Sequence, residues 1–238
     1  MKQIKGILSV ALLLIVGITS CTFSGKREIV EEEFPAIESF SAVKSDIVAN
    51  IEYTQSDIVK IRVKGDKKLV DNIVVSETDG VLNLSLVKNL NTMSQKRMAV
   101  YISSPTLEKI DIIGVGNFTL NGFVEAETLT INYKGVGNFE GMDLKCNTIK
   151  ANNEGVGNMR LAGTTDLVEI KSAGVGNVEA KELKAKDAIV KAHGVGKVEC
   201  YASENIDLSN SGVGSITYYG KPVVDNLTNS GVGKIVPG

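Results

Sequence analysis

Gly155-Val156-Gly157-Asn158 is followed nineteen residues later by Gly174-Val175-Gly176-Asn177, and the reading of this pair decides the fold. Seven copies of Gly-Val-Gly occupy the second half of the chain, starting at Gly114, Gly135, Gly155, Gly174, Gly194, Gly212 and Gly231. The steps are 21, 20, 19, 20, 18 and 19 residues. A period near twenty marks a solenoid, in which each repeat is one rung and neighbouring rungs bury a shared core. Four residues before the first glycine stand Ile110, Ile131, Ala151, Ile170, Val190, Leu208 and Leu227, all apolar. Four residues after it stand Phe118, Phe139, Met159, Val178, Val198, Ile216 and Ile235, again all apolar. The next position (Thr119, Glu140, Arg160, Glu179, Glu199, Thr217, Val236) is mostly polar. Apolar columns beside polar ones mean short strands with alternating inward and outward side chains.

The glycines fall between two such strands, where a corner needs positive φ or close backbone approach. Gly114 and Gly116, Gly135 and Gly137, Gly155 and Gly157, and Gly174 and Gly176 are therefore expected at stacked corners. Asn117, Asn138, Asn158 and Asn177 follow them, and amides at equivalent corners are expected to form a hydrogen-bonded ladder. The central valine of each copy is expected, with the aliphatic columns, to serve the core. The connections are too short for a crossover helix, and rungs of this length suit two or three short strands. The predicted architecture is all-β: a single-stranded parallel β-helix, or β-solenoid, with about seven Gly-Val-Gly rungs over residues 111–238.

Residues 34–110 lack the repeat but still read as β. Val59, Ile61 and Val63 alternate with Lys60, Arg62 and Lys64, and Leu82, Leu84 and Leu86 follow an Asp79-Gly80 hairpin turn. Lys67 to Asn72 suit one helical turn, and Met98 to Ile102 form a strand ended by Ser103-Ser104-Pro105. This half is expected to be an irregular β N-terminal cap and first coils, continuous with the solenoid as one domain. An uncapped first rung would be an unpaired edge. At the other end the seventh rung barely begins. Ile216, Val223, Val224, Ile235 and Val236 are expected to meet a second copy or another envelope protein there.

The chain opens on Lys2 and Lys5 and an apolar run from Gly6 to Val16, too short to span a bilayer comfortably. Ile18-Thr19-Ser20-Cys21 resembles a bacterial lipobox, so residues 1–20 read as a lipoprotein signal peptide and Cys21 as the lipidated residue that holds the protein on a membrane. Thr22 rather than Asp after the cysteine favours the outer membrane, by resemblance to proteobacterial sorting rules. Residues 21–33, ending in Glu31-Glu32-Glu33, read as the lipidated cysteine and a polar tether. Removing residues 1–20 moves the formal charge from -2 to -4, which leaves no basic surplus for nucleic acid. Cys146 and Cys200 lie three rungs apart, about 14 Å, so two free, buried thiols are expected rather than a disulfide.

Motif chemistry is thin. Gly194-Val-Gly-Lys197 continues into Val198, not the Ser or Thr of a phosphate loop, and no Gly-Val-Gly is followed by the Asp of a calcium roll. No metal site and no cofactor are expected. His193, the single histidine, sits in a permissive column with Ile113, Lys134, Glu154, Ala173, Ser211 and Ser230. The polar column Glu140, Arg160, Glu179 and Glu199, with Tyr201, Tyr218 and Tyr219 near the end, is the candidate binding face. Its carboxylates also define the one enzyme alternative, a polysaccharide lyase or hydrolase.

A lipobox, a β-rich lead ending in Ser104-Pro-Thr-Leu-Glu-Lys-Ile110, and repeated Gly-Val-Gly-Asn before an apolar residue resemble one bacterial family over roughly residues 38–220. It is the family "putative auto-transporter adhesin, head GIN domain", common among Bacteroidetes. The resemblance implies an exported, often lipid-anchored β-helix of unknown function, and it carries no catalytic residues. The expected protein is a non-catalytic cell-envelope lipoprotein, an adhesin or scaffold presenting a rigid face. Its ligand, glycan or protein, is left open.

Overall fold

The computed structural model describes residues 28–87 and 98–238; the expected signal peptide over 1–20, Cys21 and the start of the expected tether lie outside the described residues. The cap comes first. β1 (Ile29–Glu33) runs antiparallel to β4 (Lys60–Asp66), which also pairs antiparallel with β7 (Met98–Ser104). The acidic run at the end of the tether expected over 21–33 is thus a strand. Glu31 lies 2.9 Å from Arg62 and 3.6 Å from Lys64, and Glu33 lies 2.8 Å from Lys60. Opposite charges across an antiparallel pair hold such a strand in register, though exposed pairs add under about 1 kcal/mol each. The expected helical turn is α1 (Lys67–Val70), capped by the Asp66 carboxylate, which accepts from the Lys68 N–H. β5 (Ile73–Thr78) and β6 (Val81–Leu86) form the expected hairpin, with positive φ at both Asp79 and Gly80 as a type I′ turn requires.

The rungs stack in parallel beyond the cap. β2 (Ala42–Ser45) lies between β6 and β8 (Lys109–Ile112), and β3 (Asn50–Gln55) lies between β7 and β9 (Phe118–Leu120). β10 (Val124–Tyr133), β11 (Phe139–Asn153), β12 (Met159–Ser172), β13 (Val178–Ala192) and β14 (Val198–Asn210) follow in order. β15 (Ile216–Gly220) and β16 (Val223–Asn229) both pair with β14, and β17 (Ile235–Pro237) pairs with β15. The middle rungs differ from the expected two or three short strands: each is a single long strand, 15 residues in β11 and β13, whose pairing with its neighbours is interrupted by shifts of register.

The corners explain the glycines. A Cβ on Gly114 would stand 1.8 Å from the Ile47 carbonyl oxygen, and one on Gly116 would stand 2.0 Å from that of Ala49. In every later copy the same atom would lie 1.8–2.5 Å from the oxygen of the matching glycine one rung earlier. The second glycine also holds φ between +136° and +155°, where a side chain is strained. The missing side chain therefore faces the preceding rung. Val48 bridges to Val115, so Ile47-Val48-Ala49-Asn50 is a first corner in register with Gly114-Val115-Gly116-Asn117. Its Ile and Ala stand where every later corner has glycine.

The asparagines form a ladder of a different kind from the expected amide pairs. Each Oδ1 accepts the backbone N–H of the matching residue in the next rung, from Asn50 through Asn117, Asn138, Asn158 and Asn177, at 2.9–3.1 Å. The last donor is Lys197, whose side chain has no oxygen to continue the series.

The aliphatic columns are buried as expected, from Ile110 to Leu208 and from Phe118 to Ile216. Phe118 and Phe139 stack at 5.5 Å, and Tyr133 meets Phe139 edge-on at 6.4 Å. Cys146 and Cys200 are free and buried. The expectation for the central valines is corrected: Val115, Val136, Val156, Val175, Val195 and Val213 are each about half exposed. Their backbone groups pair with the preceding rung, as when Val136 donates to the Gly114 carbonyl and accepts from the Gly116 N–H. The backbone binds the corners together while the side chain is turned to solvent. The last rung is open, and Val223, Val224, Leu227 and Val232 are 41–71% exposed.

Burial pushes the Tyr133 hydroxyl up to about 12, and it donates to the Gly116 carbonyl at 3.1 Å. Burial likewise pushes the Cys200 thiol up to about 12. Both groups bind their proton more tightly in the folded state, so their contribution is complete below the unfolded values, near pH 9 for the thiol and pH 10 for the phenol, and is lost as pH rises toward 12. Denaturant midpoints measured from pH 8 to 11.5 should fall, and Tyr133→Phe should flatten that fall above pH 10. An identical slope in the variant would contradict the assignment.

Candidate functional site

An open groove of about 420 Å³ runs along the stack from β10 to β14. Its floor is a column of small inward side chains, Ala126, Cys146, Thr165 and Ala185, in direct register. One wall is the exposed row Glu125, Lys145, Thr164 and Lys184, and the other holds Asn147, Asp166, Lys186 and Ser203. The floor is concave because small residues leave the flanking long side chains standing above it. Lys145 pairs with Glu125 at 2.8 Å and Lys186 with Asp166 at 2.7 Å. The Lys184 ammonium sits 4.4 Å above the Tyr201 ring, a cation–π contact at the C-terminal end of the groove. Thr165 donates its buried hydroxyl to the carbonyls of Asn147 and Leu167, which fixes the floor.

The polar column lies at the corner side of the same strands. Arg160 bridges Glu140 at 3.2 Å and Glu179 at 3.1 Å. Lys197 pairs with Glu199 at 2.7 Å, and the Tyr219 hydroxyl donates to the same carboxylate at 3.0 Å. Lys197 and Tyr219 hold the Glu199 carboxyl below its usual range, and Glu179, with Glu140, raises Arg160 further. A general acid needs the opposite displacement. Tyr201 and Tyr219 are in register on the outer face, whereas Tyr218 stands in the inward column beside Cys200 and packs on the core. Of the candidate face, only Tyr201 reaches the groove. His193 hydrogen-bonds Ser211 at 2.5 Å, exposed at the corner and away from it. Among the described residues no cluster of His, Cys, Asp and Glu could hold a metal ion.

The groove escapes column-by-column reading because the rungs change length beside it. Register shifts fall at Gly141/Leu144, Arg160/Ala162 and Ala180/Ala185, between the corner and the groove. These shifts absorb the variation in repeat length, so a fixed offset from Gly-Val-Gly misaligns the groove residues. The alternation of exposed and small residues in Lys145-Cys-Asn and Lys184-Ala-Lys is the signal that remains.

Fold and groove define a class: a β-solenoid with a side-chain-lined groove. Residues 39–222 match the family described as "Putative auto-transporter adhesin, head GIN domain", and the chain belongs to that family. It is similar to a crystallised protein from Bacteroides fragilis, described as a putative adhesin, at 34% identity and a TM-score of 0.87. That match covers 90% of this chain and 98% of the other. Two more distant structures share the fold, each covering 87% of this chain and 96% of the other at 20% identity. One is a putative adhesin from Parabacteroides merdae (TM-score 0.65), the other a putative lipid binding protein from Parabacteroides distasonis (TM-score 0.67). No curated protein matches the chain. The adhesin-type family points to a protein of the cell surface or envelope with a binding role.

Proposed function

We propose that this protein is a non-catalytic envelope lipoprotein, held on the outer membrane through Cys21, whose groove binds an extended glycan chain. The observation that carries the reading is the groove itself: two parallel rows of hydrogen-bonding side chains repeat at rung spacing, with an aromatic ring at one end. The strands beneath it are paired on both sides, so a peptide finds no free edge to extend. A polymer recognised through side-chain hydrogen bonds and one stacked ring fits better. The lipid-binding description of the P. distasonis protein suits this groove less well, because charged rows flank its floor. The carboxylates of the polar column are occupied by Arg160 and Lys197, which supports binding over hydrolysis. In this reading the open last rung is a second contact surface, for another envelope protein.

The test is a glycan array of neutral and acidic polysaccharides probed with the protein. Binding should appear without release of shortened product. Lys184→Ala combined with Tyr201→Ala should weaken it at least tenfold while strand content by circular dichroism is unchanged, since Lys184 is exposed and Tyr201 is only half-buried. Product release would move the protein to the polysaccharide-cleaving class.

A further inference from the structure

Eight valines form a continuous row along the outside of the stack. Val48, Val115, Val136, Val156, Val175, Val195, Val213 and Val232 are bridged one to the next, and each is 40–71% exposed. At rung spacing the row is about 34 Å long. Monomeric soluble proteins rarely leave a contiguous apolar patch of that extent without a partner. From Gly114 onward every valine has a glycine on each side, so the row is a ridge between two troughs floored by backbone. A ridge of identical side chains beside a trough of the same spacing is complementary to its own copy. In-register rows of this kind interdigitate and exclude water.

We propose that the valine ridge is the contact between two copies of this chain, packed side by side and parallel about a two-fold axis along the ridge. The parallel direction rests on the anchored reading above, because two chains held through Cys21 on one membrane present their cap ends together. Each valine then meets the trough beside its own counterpart, and all eight rungs are matched. The rows two residues to either side of the ridge face each other: Lys134 meets Asn138, Glu154 meets Asn158, and His193 meets Lys197 as the one basic pair. No carboxylate meets a carboxylate. Eight half-exposed valines with their troughs bury on the order of 1,000 Å² in total, the lower end for a specific contact. Tethering both copies to one surface raises their effective concentration, so a contact of that size suffices.

Disulfide cross-linking of the full chain in the cell envelope tests this. Val48→Cys, Val175→Cys and Val232→Cys, each alone, should give a covalent dimer on oxidation with copper phenanthroline. The parent, whose Cys146 and Cys200 are buried, should give none. Adding Val156→Asp and Val195→Asp to the Val175→Cys chain should cut the dimer at least tenfold. These positions are exposed, so the stack persists, and strand content by circular dichroism should be unchanged. Three outcomes would overturn the proposal: no dimer from any single cysteine, a dimer from Val175→Cys with none from Val48→Cys or Val232→Cys, or a yield indifferent to the aspartates. The anchor is read separately, by membrane fractionation of the chain carrying Cys21→Ser. A Cys21→Ser chain that stays in the membrane fraction overturns the anchor, and cross-linking that persists in that chain leaves the ridge standing.

Discussion

Gly157→Ala should destabilise the protein by more than about 4 kcal/mol, enough to unfold it at moderate urea concentrations. The added Cβ would stand 1.8 Å from the Gly137 carbonyl oxygen and 2.7 Å from its carbon, both backbone atoms in a paired corner. The residue also sits at φ +137°, so strain adds to the clash. Two comparisons separate these causes. Gly174 shows no left-handed φ, yet a Cβ there would lie 2.1 Å from the Gly155 oxygen, so Gly174→Ala should be nearly as damaging. Ala49→Gly, in the first corner, should cost no more than about 1 kcal/mol, because that position carries a side chain already and the change adds no atom. Urea midpoints of the three variants decide the point. A mild effect at Gly157 would mean that the corners do not stack as described.

Phe139→Ala should cost about 3–5 kcal/mol. Phe139 is fully buried at the second Gly-Val-Gly rung, stacked on Phe118 and met edge-on by Tyr133, so the cavity is bounded by rings that cannot collapse without breaking paired strands. Leu227→Ala provides the contrast. Leu227 continues the buried column of Leu208 but is 47% exposed at the open rung, so its loss should cost under about 1.5 kcal/mol. Thermal unfolding followed by circular dichroism distinguishes the two. Equal losses would mean that the last rung is covered in solution.

The contrast between these residues shows what is legible in the sequence. The aliphatic columns and the glycine corners obey strict rules that repeat in every rung, so seven aligned copies are enough to reveal the solenoid. The valines are as invariant as the glycines, yet their direction depends on how the two glycines turn the backbone, which residue type does not disclose. Their apolar character points to the core, and they stand outside it. The first corner escapes because Ile47 and Ala49 stand where the later copies have glycine, so the motif is absent there and only the Val48–Val115 bridge reveals it. The groove is hidden for a third reason, since the register shifts beside it break the alignment that exposes every other column. The carboxylates of Glu140, Glu179 and Glu199 are visible as a row, but only distances show that Arg160 and Lys197 already engage them.

The central functional claim is that the groove along β10 to β14 receives a linear glycan. It spans five strands, about 19 Å at strand spacing. The most direct measurement is calorimetric titration of the protein with fragments of increasing length cut from the polysaccharide that binds best on the array. Affinity should rise with fragment length until the groove, about 19 Å long at strand spacing, is filled, then level off. Lys184→Ala with Tyr201→Ala should weaken every fragment that reaches their end. Affinity independent of length, or indifferent to those two substitutions, would contradict the account.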